Sequence, residues 1–584
     1  MPGVIQQTQG IKRKGGSSFA GIEKPETNIP HDGYNPFTTC LLRCWLSGDV
    51  SATAVQELAY NLTLLGFDDE ELVSLAKMGT WGQYPSKVNH MLCEYMETLP
   101  GHMPEPTEKK VPCKDTKTGQ ELNENTSFFE PAHIVSKTFQ RDPDLFHAKY
   151  GTKRLKEFWA GVKDDDPKLK MLLAETGWSR SDLDLVIPLW VHGDKAEFTE
   201  SDSNMTIIMG AVLNQDSTLK GTDLLASYPS ACSLPKTWTS LWEALVPSFT
   251  NTVYGVDSGG NYLAGGFKFV IWNIEGDHEN HSNYFGMPHW NCSEFCWECR
   301  HTKATGGLCF KHGMPAGLPR GFEEEKAHRI SNHPIFTIPG VSRFNICQDG
   351  MHIVYCNGIL AHAMGNFLKK QCWKDEGRQT VPPNKRIELM FKRMQEIYKN
   401  LGSQNRLNNL TLKMFLDPSK PHQSRPYLKM KAGECRHLVP VFQQLAHELN
   451  TGTEYDKKMC HLFDSIAAFD ELLTKCPLFP TEAQAKQACH HMDEFLKTNA
   501  WLNENEENDR MWHIVFKHHM AGHLAQAFHW MNPRFYWCFK AEDCVGRLAK
   551  LAHACTYGTK NFKVAAKLAH RYKYLVNFLR VREF

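Results

Sequence analysis

The chain has 584 residues, 66 Lys+Arg against 65 Asp+Glu, and 41% apolar residues. The length exceeds the roughly 250–300 residues at which single cores stop growing, so several domains are expected, with a large core. No run approaches the ~20 apolar residues of a bilayer span, so no membrane partner is expected. The first residues carry no apolar signal segment, and 19 cysteines in such a chain read as reduced thiols, some of them metal ligands. A net charge of +1 argues at first sight against a nucleic-acid binder.

In chain order, residues 1–33 read as a disordered tail. It contains Lys12-Arg13-Lys14, a basic cluster of the kind used in nuclear import, with an ordinary solvated tail as the plainer alternative. Residues 34–180 read as an N-terminal helical region. Ser51 is an N-cap and Gly66 a C-terminal cap around AVQELAYNLTLL, and the polar, proline-containing stretch 101–130 reads as a linker. From 181 the pattern changes. DLVIPLWVHGD is an apolar strand running into Asp194, MTIIMGAVL a second strand and DLLASYP a third. TWTSLWEALVPSFTNTVYG is an amphipathic helix, and FKFVIWNIEGD a fourth strand running into Asp277. Three strands, a helix and a strand within ~95 residues is the order of an RNase H-like mixed sheet. Residues 181–304 are therefore the first part of such a core. Residues 305–505 read as an all-helical insertion, and 506–584 as the C-terminal helical part of the core. The fold class expected is mixed α+β.

Two acids at the ends of neighbouring strands can share a site, and carboxylates are hard oxygen ligands suited to Mg²⁺ or Mn²⁺. Two such ions can activate a nucleophile and stabilise the leaving oxygen of a phosphodiester. A third acid has to come from a helix on the sheet. FYWCFKAEDCVGRLAKLAH offers Glu542, with Asp543 as its neighbour and competitor. The plain alternative is that Asp194 and Asp277 only cap turns.

Cys296-x-x-Cys299 has the spacing of two tetrahedral Zn²⁺ ligands. Two completions fit the sequence: a local knuckle with Cys309 and His312, and a distant pair, His519 and His523, four residues apart on one helical face. Local charge also departs from the average. Residues 510–584 hold 13 Lys+Arg and three acids, a net of +10. Arg547, Lys550, Lys560, Lys563, Lys567, Arg571 and Lys573 are candidate phosphate contacts, with a solvated amphipathic helix as the alternative.

The order strand-Asp, strand-Asp, C-x-x-C, Met-His, H-x-x-x-H, helix-Glu resembles the DDE transposases of the CACTA/EnSpm-like group. It is also similar to the related Transib transposases and the catalytic subunit of the V(D)J recombinase. The segments carrying the resemblance are PLWVHGDKAEFTESDS, GGFKFVIWNIEGDHEN, HWNCSEFCWECR, QDGMHIVYCNGIL, KHHMAGH and NPRFYWCFKAEDCVGRLAKLAHACTYG, spanning about 180–584. The resemblance implies that Asp194, Asp277 and Glu542 hold two Mg²⁺ or Mn²⁺ ions. It implies that Cys296, Cys299, His519 and His523 share one Zn²⁺, and that His352 of the Met351-His352 element contacts a scissile phosphate or a flipped base. It implies a transposase acting in the nucleus on double-stranded DNA, both transposon ends and target, most simply as a homodimer. A domesticated, inactive DNA-binding protein on the same scaffold is the alternative. No terminal-repeat-binding motif is evident in residues 1–180.

Overall fold

The computed structural model describes residues 35–79, 87–99, 101, 103–214, 220–257, 259–302, 319–372, 381–417, 419–420, 423–507 and 510–582. The N-terminal tail with Lys12-Arg13-Lys14, and Cys309 and His312 of the local knuckle, lie outside them.

Two sheets are present among the described residues. The smaller is a hairpin of β1 (Thr107–Lys114) and β2 (Glu121–Phe128), paired from Thr107↔Phe128 to Lys114↔Glu121. This replaces the linker expected over 101–130. Only Val111, Cys113 and Thr126–Phe128 are buried, so the apolar alternation is too short to stand out in a polar stretch. The turn is local chemistry: the Asp115 carboxylate accepts the backbone N–H groups of Lys117 (2.8 Å) and Thr118 (3.2 Å).

The larger sheet contains β3 (Val186–Thr199), β4 (Asp202–Ala211), β5 (Thr222–Pro229) and β6 (Lys268–Glu275), in spatial order β5-β4-β3-β6. β3 is antiparallel to β4 and parallel to β6, and β4 is antiparallel to β5. β5 is buried along its whole length and β6 at all but its first residue, which explains why apolar residues appear on both faces of each strand. β3 continues past Asp194 to Thr199, because β4 pairs with it from Leu189↔Ala211 to Thr199↔Asp202. Asp194 is therefore inside a strand rather than at its end. Beyond β6, Ile346 forms a parallel bridge with Ile274, and Cys347 N–H donates to the Ile274 carbonyl (2.9 Å).

Helix Pro235–Tyr254 connects β5 to β6 and packs on β6. Proline at its first position and Gly255 (φ +69°) at its end set its limits. Trp238, Leu241, Trp242, Leu245 and Phe249 form its buried stripe. Trp242 is fully buried, so truncating it to Ala costs about 3–5 kcal/mol. Helix Phe539–Ala554 lies on β3 and β4, and helix Val564–Arg582 on β5 and β2.

The long helices between the two parts of the core are Ile359–Cys372, Pro383–Leu401, Ala432–Glu448, Glu454–Lys475 and Glu482–Glu504. Residues 319–358, placed in the insertion by sequence, form one short helix, Phe322–Ala327, and several short turns, among them the Arg343–Asn345 turn packed on β6. The N-terminal helices Pro36–Leu46 and Val88–Glu97 dock on helix Val564–Arg582. Within that interface Asn577 Oδ1 accepts the Met103 N–H (2.9 Å). The 18 described cysteines are all outside disulfides. No described helix is long and apolar enough to cross a membrane.

Candidate active site and metal centre

Strand register brings the first two acids together. His192 is opposite Glu275 in the parallel β3–β6 pair. Asp194 lies two residues beyond His192 and Asp277 two beyond Glu275, and the charge of Asp277 acts on Asp194. Between them the chain turns at Gly276, where a Cβ would sit 2.6 Å from Asn280 Nδ2. Asp277 then caps helix His278–Phe285, accepting the Asn280 N–H at 2.6 Å. Asp194 Oδ1 accepts the N–H of Lys195 (2.7 Å).

Glu542 enters from the first turn of helix Phe539–Ala554. That helix start is fixed by two contacts of Cys538. Its N–H donates to Asp349 Oδ1 (2.9 Å), and its Sγ is 3.8 Å from Nδ1 of His192 on β3. Burial pushes the Asp194 carboxyl up to about 7, and the charges of Glu542 and Asp277 add to the effect. Burial also raises Glu542, aided by the charges of Asp349 and Asp277 and opposed by His352. The three acids therefore share one electrostatic environment. Asp543, the competitor, is exposed and pairs with Arg547 at 2.9 Å.

Met351–Tyr355 is a single π-helical turn, a wide turn frequent at functional sites. Asp349 shapes it: Oδ1 accepts the Met351 N–H (3.0 Å), and Oδ2 accepts the His352 N–H (3.1 Å) and touches His352 Nδ1 (2.5 Å). The other ring nitrogen, Nε2, reaches Glu542 Oε1 at 3.3 Å. Burial works against the charged imidazole, but Asp349 and Glu542 outweigh it and raise His352 well above its ordinary value. Asp349 is fully buried, yet the same bonds hold it down at about 2. A cavity of about 340 Å³ opens beside Asp277 and His352, walled by His278, Trp297, Phe516 and Met520.

Away from these acids, Cys296, Cys299, His519 and His523 form a cluster that could hold a metal ion. All four are buried, and their ligand atoms lie within 4.8 Å of one another. Cys296 Sγ is 3.4 Å from His523 Nε2, Cys299 Sγ 3.6 Å from His519 Nε2, and the two Nε2 atoms are 3.2 Å apart. A tetrahedron of ligands at zinc distances, ~2.3 Å for sulfur and ~2.0–2.1 Å for nitrogen, has edges of about 3.3 Å (N–N) and about 3.6 Å (S–N). The residues thus fit tetrahedral zinc. The thiol of Cys299 is pushed down to about 2 by its bonds to Cys296, His519 and His523. The Glu298 N–H donates to Cys296 Sγ (3.3 Å), and Gln526 Oε1 lies 3.2 Å from His523 Nδ1, where it fixes the ring orientation.

The basic candidates divide. Arg547, Lys550, Lys560, Lys563 and Lys567 are exposed. Lys573 is not: it is 3% exposed and bonds Glu97 (3.0 Å) and Glu105 (2.8 Å). Arg571 donates to the carbonyls of Trp45 and Leu46. These two were expected at a phosphate surface. Their charges instead serve the docking of the N-terminal helices, because the exposed face of helix Val564–Arg582 is covered there.

Three residues beside the acids escaped the sequence reading. Asp349 shows only as an Asx-turn signal in QDGMH. His192 and Asn280 carry no sequence signal at all. Asn280 is 4% exposed, and neither atom of its side-chain amide has a hydrogen-bond partner. No family model matches the chain, and no curated protein matches it.

Proposed function

We propose that the chain is a metal-dependent DNA-processing enzyme of the DDE transposase type, cleaving DNA and joining strands on an RNase H-like core. The observation that carries this reading is that the charges of Glu542, in the first turn of a helix, and of Asp277, just beyond β6, act on the carboxyl of Asp194 on β3. The charges of Glu542 and Asp277 raise the Asp194 carboxyl, and a bound cation would offset that repulsion. Carboxylates suit Mg²⁺ or Mn²⁺, whereas the sulfur–nitrogen cluster suits Zn²⁺. The sheet order supports the fold reading: two antiparallel hairpin strands, a central strand, a parallel strand after a helical crossover, and the Ile346 bridge at the next position.

When bound, the divalent ions supply a Lewis acid for the nucleophile and for the departing 3′-oxygen. The rest is done by the chain. Asp194 and Asp277 are held rigidly by the strand pair and by the helix that Asp277 caps. Protonated His352 is placed beside Glu542 as a cationic hydrogen-bond donor for a phosphate oxygen, with Asp349 keeping it charged. The zinc cluster ties the loop after helix His278–Phe285 to helix Phe516–Ala527. Asn532, in the link to Glu542, is fully buried and donates to the carbonyls of Leu473 and Cys476. Action on paired DNA ends calls for two copies of the chain.

The test is nicking of supercoiled plasmid with Mg²⁺ or Mn²⁺. Wild type is expected to nick. Asp194→Asn, Asp277→Asn and Glu542→Gln are each expected to lose about 10³-fold or more while melting as a folded protein. DNA binding without nicking by wild type in either metal would favour an inactive, domesticated scaffold.

A further inference from the structure

The β1–β2 hairpin faces the loop and helix start at 558–567 across a cleft of about 740 Å³. Lys110, Asn123 and Asn125 come from the hairpin, and Lys560, Lys563 and Lys567 from the other wall. All six are exposed. Glu124 is the acid in the lining, and Asp115 at the hairpin tip lies close enough to feel the charge of Lys560. Lysine keeps the lining positive, and the two asparagines add neutral donors.

The cleft is also joined to the three acids. Glu542 is near the start of helix Phe539–Ala554 and the cleft begins at Gly558, just past its end. Twelve residues of helix from Glu542 to Ala554 span about 18 Å, roughly five base-pair steps of 3.4 Å. Exposed Arg547 and Lys550 lie on this helix between the two places, three residues apart and so on one face. They border a second cleft with Glu542, Ser47 and Asp49.

We propose that the hairpin and the 558–567 segment form a clamp for the phosphate backbone of duplex DNA, about five base pairs from the bond held at Asp194, Asp277 and Glu542. The inference rests on the DNA reading above and assigns a role to a hairpin that no sequence motif marks. Backbone contacts of this kind fix register without reading sequence.

The experiment is an anisotropy titration of a labelled 30-base-pair duplex with the full chain over a salt series, with plasmid nicking and a melting curve run on each protein. Lys110→Ala is expected to weaken binding about three- to ten-fold near 100 mM salt. It should also reduce the slope of log K against log salt by about 0.9, the value of one phosphate contact. Lys560→Ala with Lys563→Ala is expected to reduce it by nearly twice as much. Lys457→Ala, an exposed lysine on helix Glu454–Lys475, should leave the slope unchanged. If wild type binds and nicks but Lys110→Ala keeps the wild-type slope, the clamp is wrong and the enzyme reading stands. An equal drop for Lys457→Ala also overturns the clamp, since binding is then diffuse. If wild type neither binds nor nicks, both readings fall together.

Discussion

Asp194 is half-buried and repelled by Glu542 and Asp277, so without a cation it keeps its proton to about pH 7. The folded state then binds more protons than the unfolded state between pH ~4 and ~7, and stability falls as pH rises through that window. Asp194→Asn removes the effect. In buffer free of Mg²⁺ and Mn²⁺ at pH 8, it should be more stable than wild type by roughly 2 kcal/mol. That is about half of ~1.4 kcal/mol per unit over three units, because the carboxyl is still partly open to water. Equal melting curves at pH 8 would refute this. Divalent metal should reverse the order by binding wild type alone.

Asp349 supports a second prediction at the same scale. Its folded value is depressed and that of His352 raised, so their pairing stabilises from about pH 4 upward and is lost as pH rises past the His352 value. Asp349→Asn should bring the His352 titration, followed by NMR, back toward ~6.5 and slow nicking about 10–100-fold. An unchanged His352 titration would sink the assignment. Asp194 and Asp277 stood out as candidates in sequence, because an apolar run ending in Asp is a visible pattern. Glu542 and Asp543 were inseparable without the family resemblance, since helix phase alone does not reveal which way the first turn faces. Asp349 acts through backbone bonds to residues as distant as Cys538, and such bonds leave no spacing in the sequence.

Among the elements, the cluster of Cys296, Cys299, His519 and His523 is the joint that matters most. It fastens the Cys296–Cys299 loop to helix Phe516–Ala527, which leads through buried Asn532 to Glu542. Cys296→Ser and His523→Ala should each release about one zinc per chain, measured by atomic emission, and lower Tm by roughly 5–10 °C. Cys309→Ser should do neither; zinc loss from it with full zinc in His523→Ala would restore the local knuckle. The ligand types and their i,i+4 and C-x-x-C spacings were readable. The choice of partner pair was not, because 220 residues separate the two halves and only folding joins them. The hairpin was misread for the opposite reason: its stabilising burial is confined to a few residues in a polar segment, so composition spoke louder than period.

At the scale of the whole molecule, the near balance of 66 and 65 charges conceals a division of labour. Part of the C-terminal positive charge is spent internally, through Arg571 and Lys573, on holding the N-terminal helices. Of the exposed remainder, Arg547 and Lys550 lie along one helix and Lys560, Lys563 and Lys567 line the hairpin cleft. The sequence order of the larger sheet was legible from its apolar runs, while the docking of helices some 500 positions apart was not. The most direct test of the account is anomalous diffraction from crystals soaked in Mn²⁺. The account predicts two Mn²⁺ peaks about 3.5–4 Å apart, held by Asp194, Asp277 and Glu542. Mn²⁺ peaks elsewhere, with none among these three carboxylates, would contradict it.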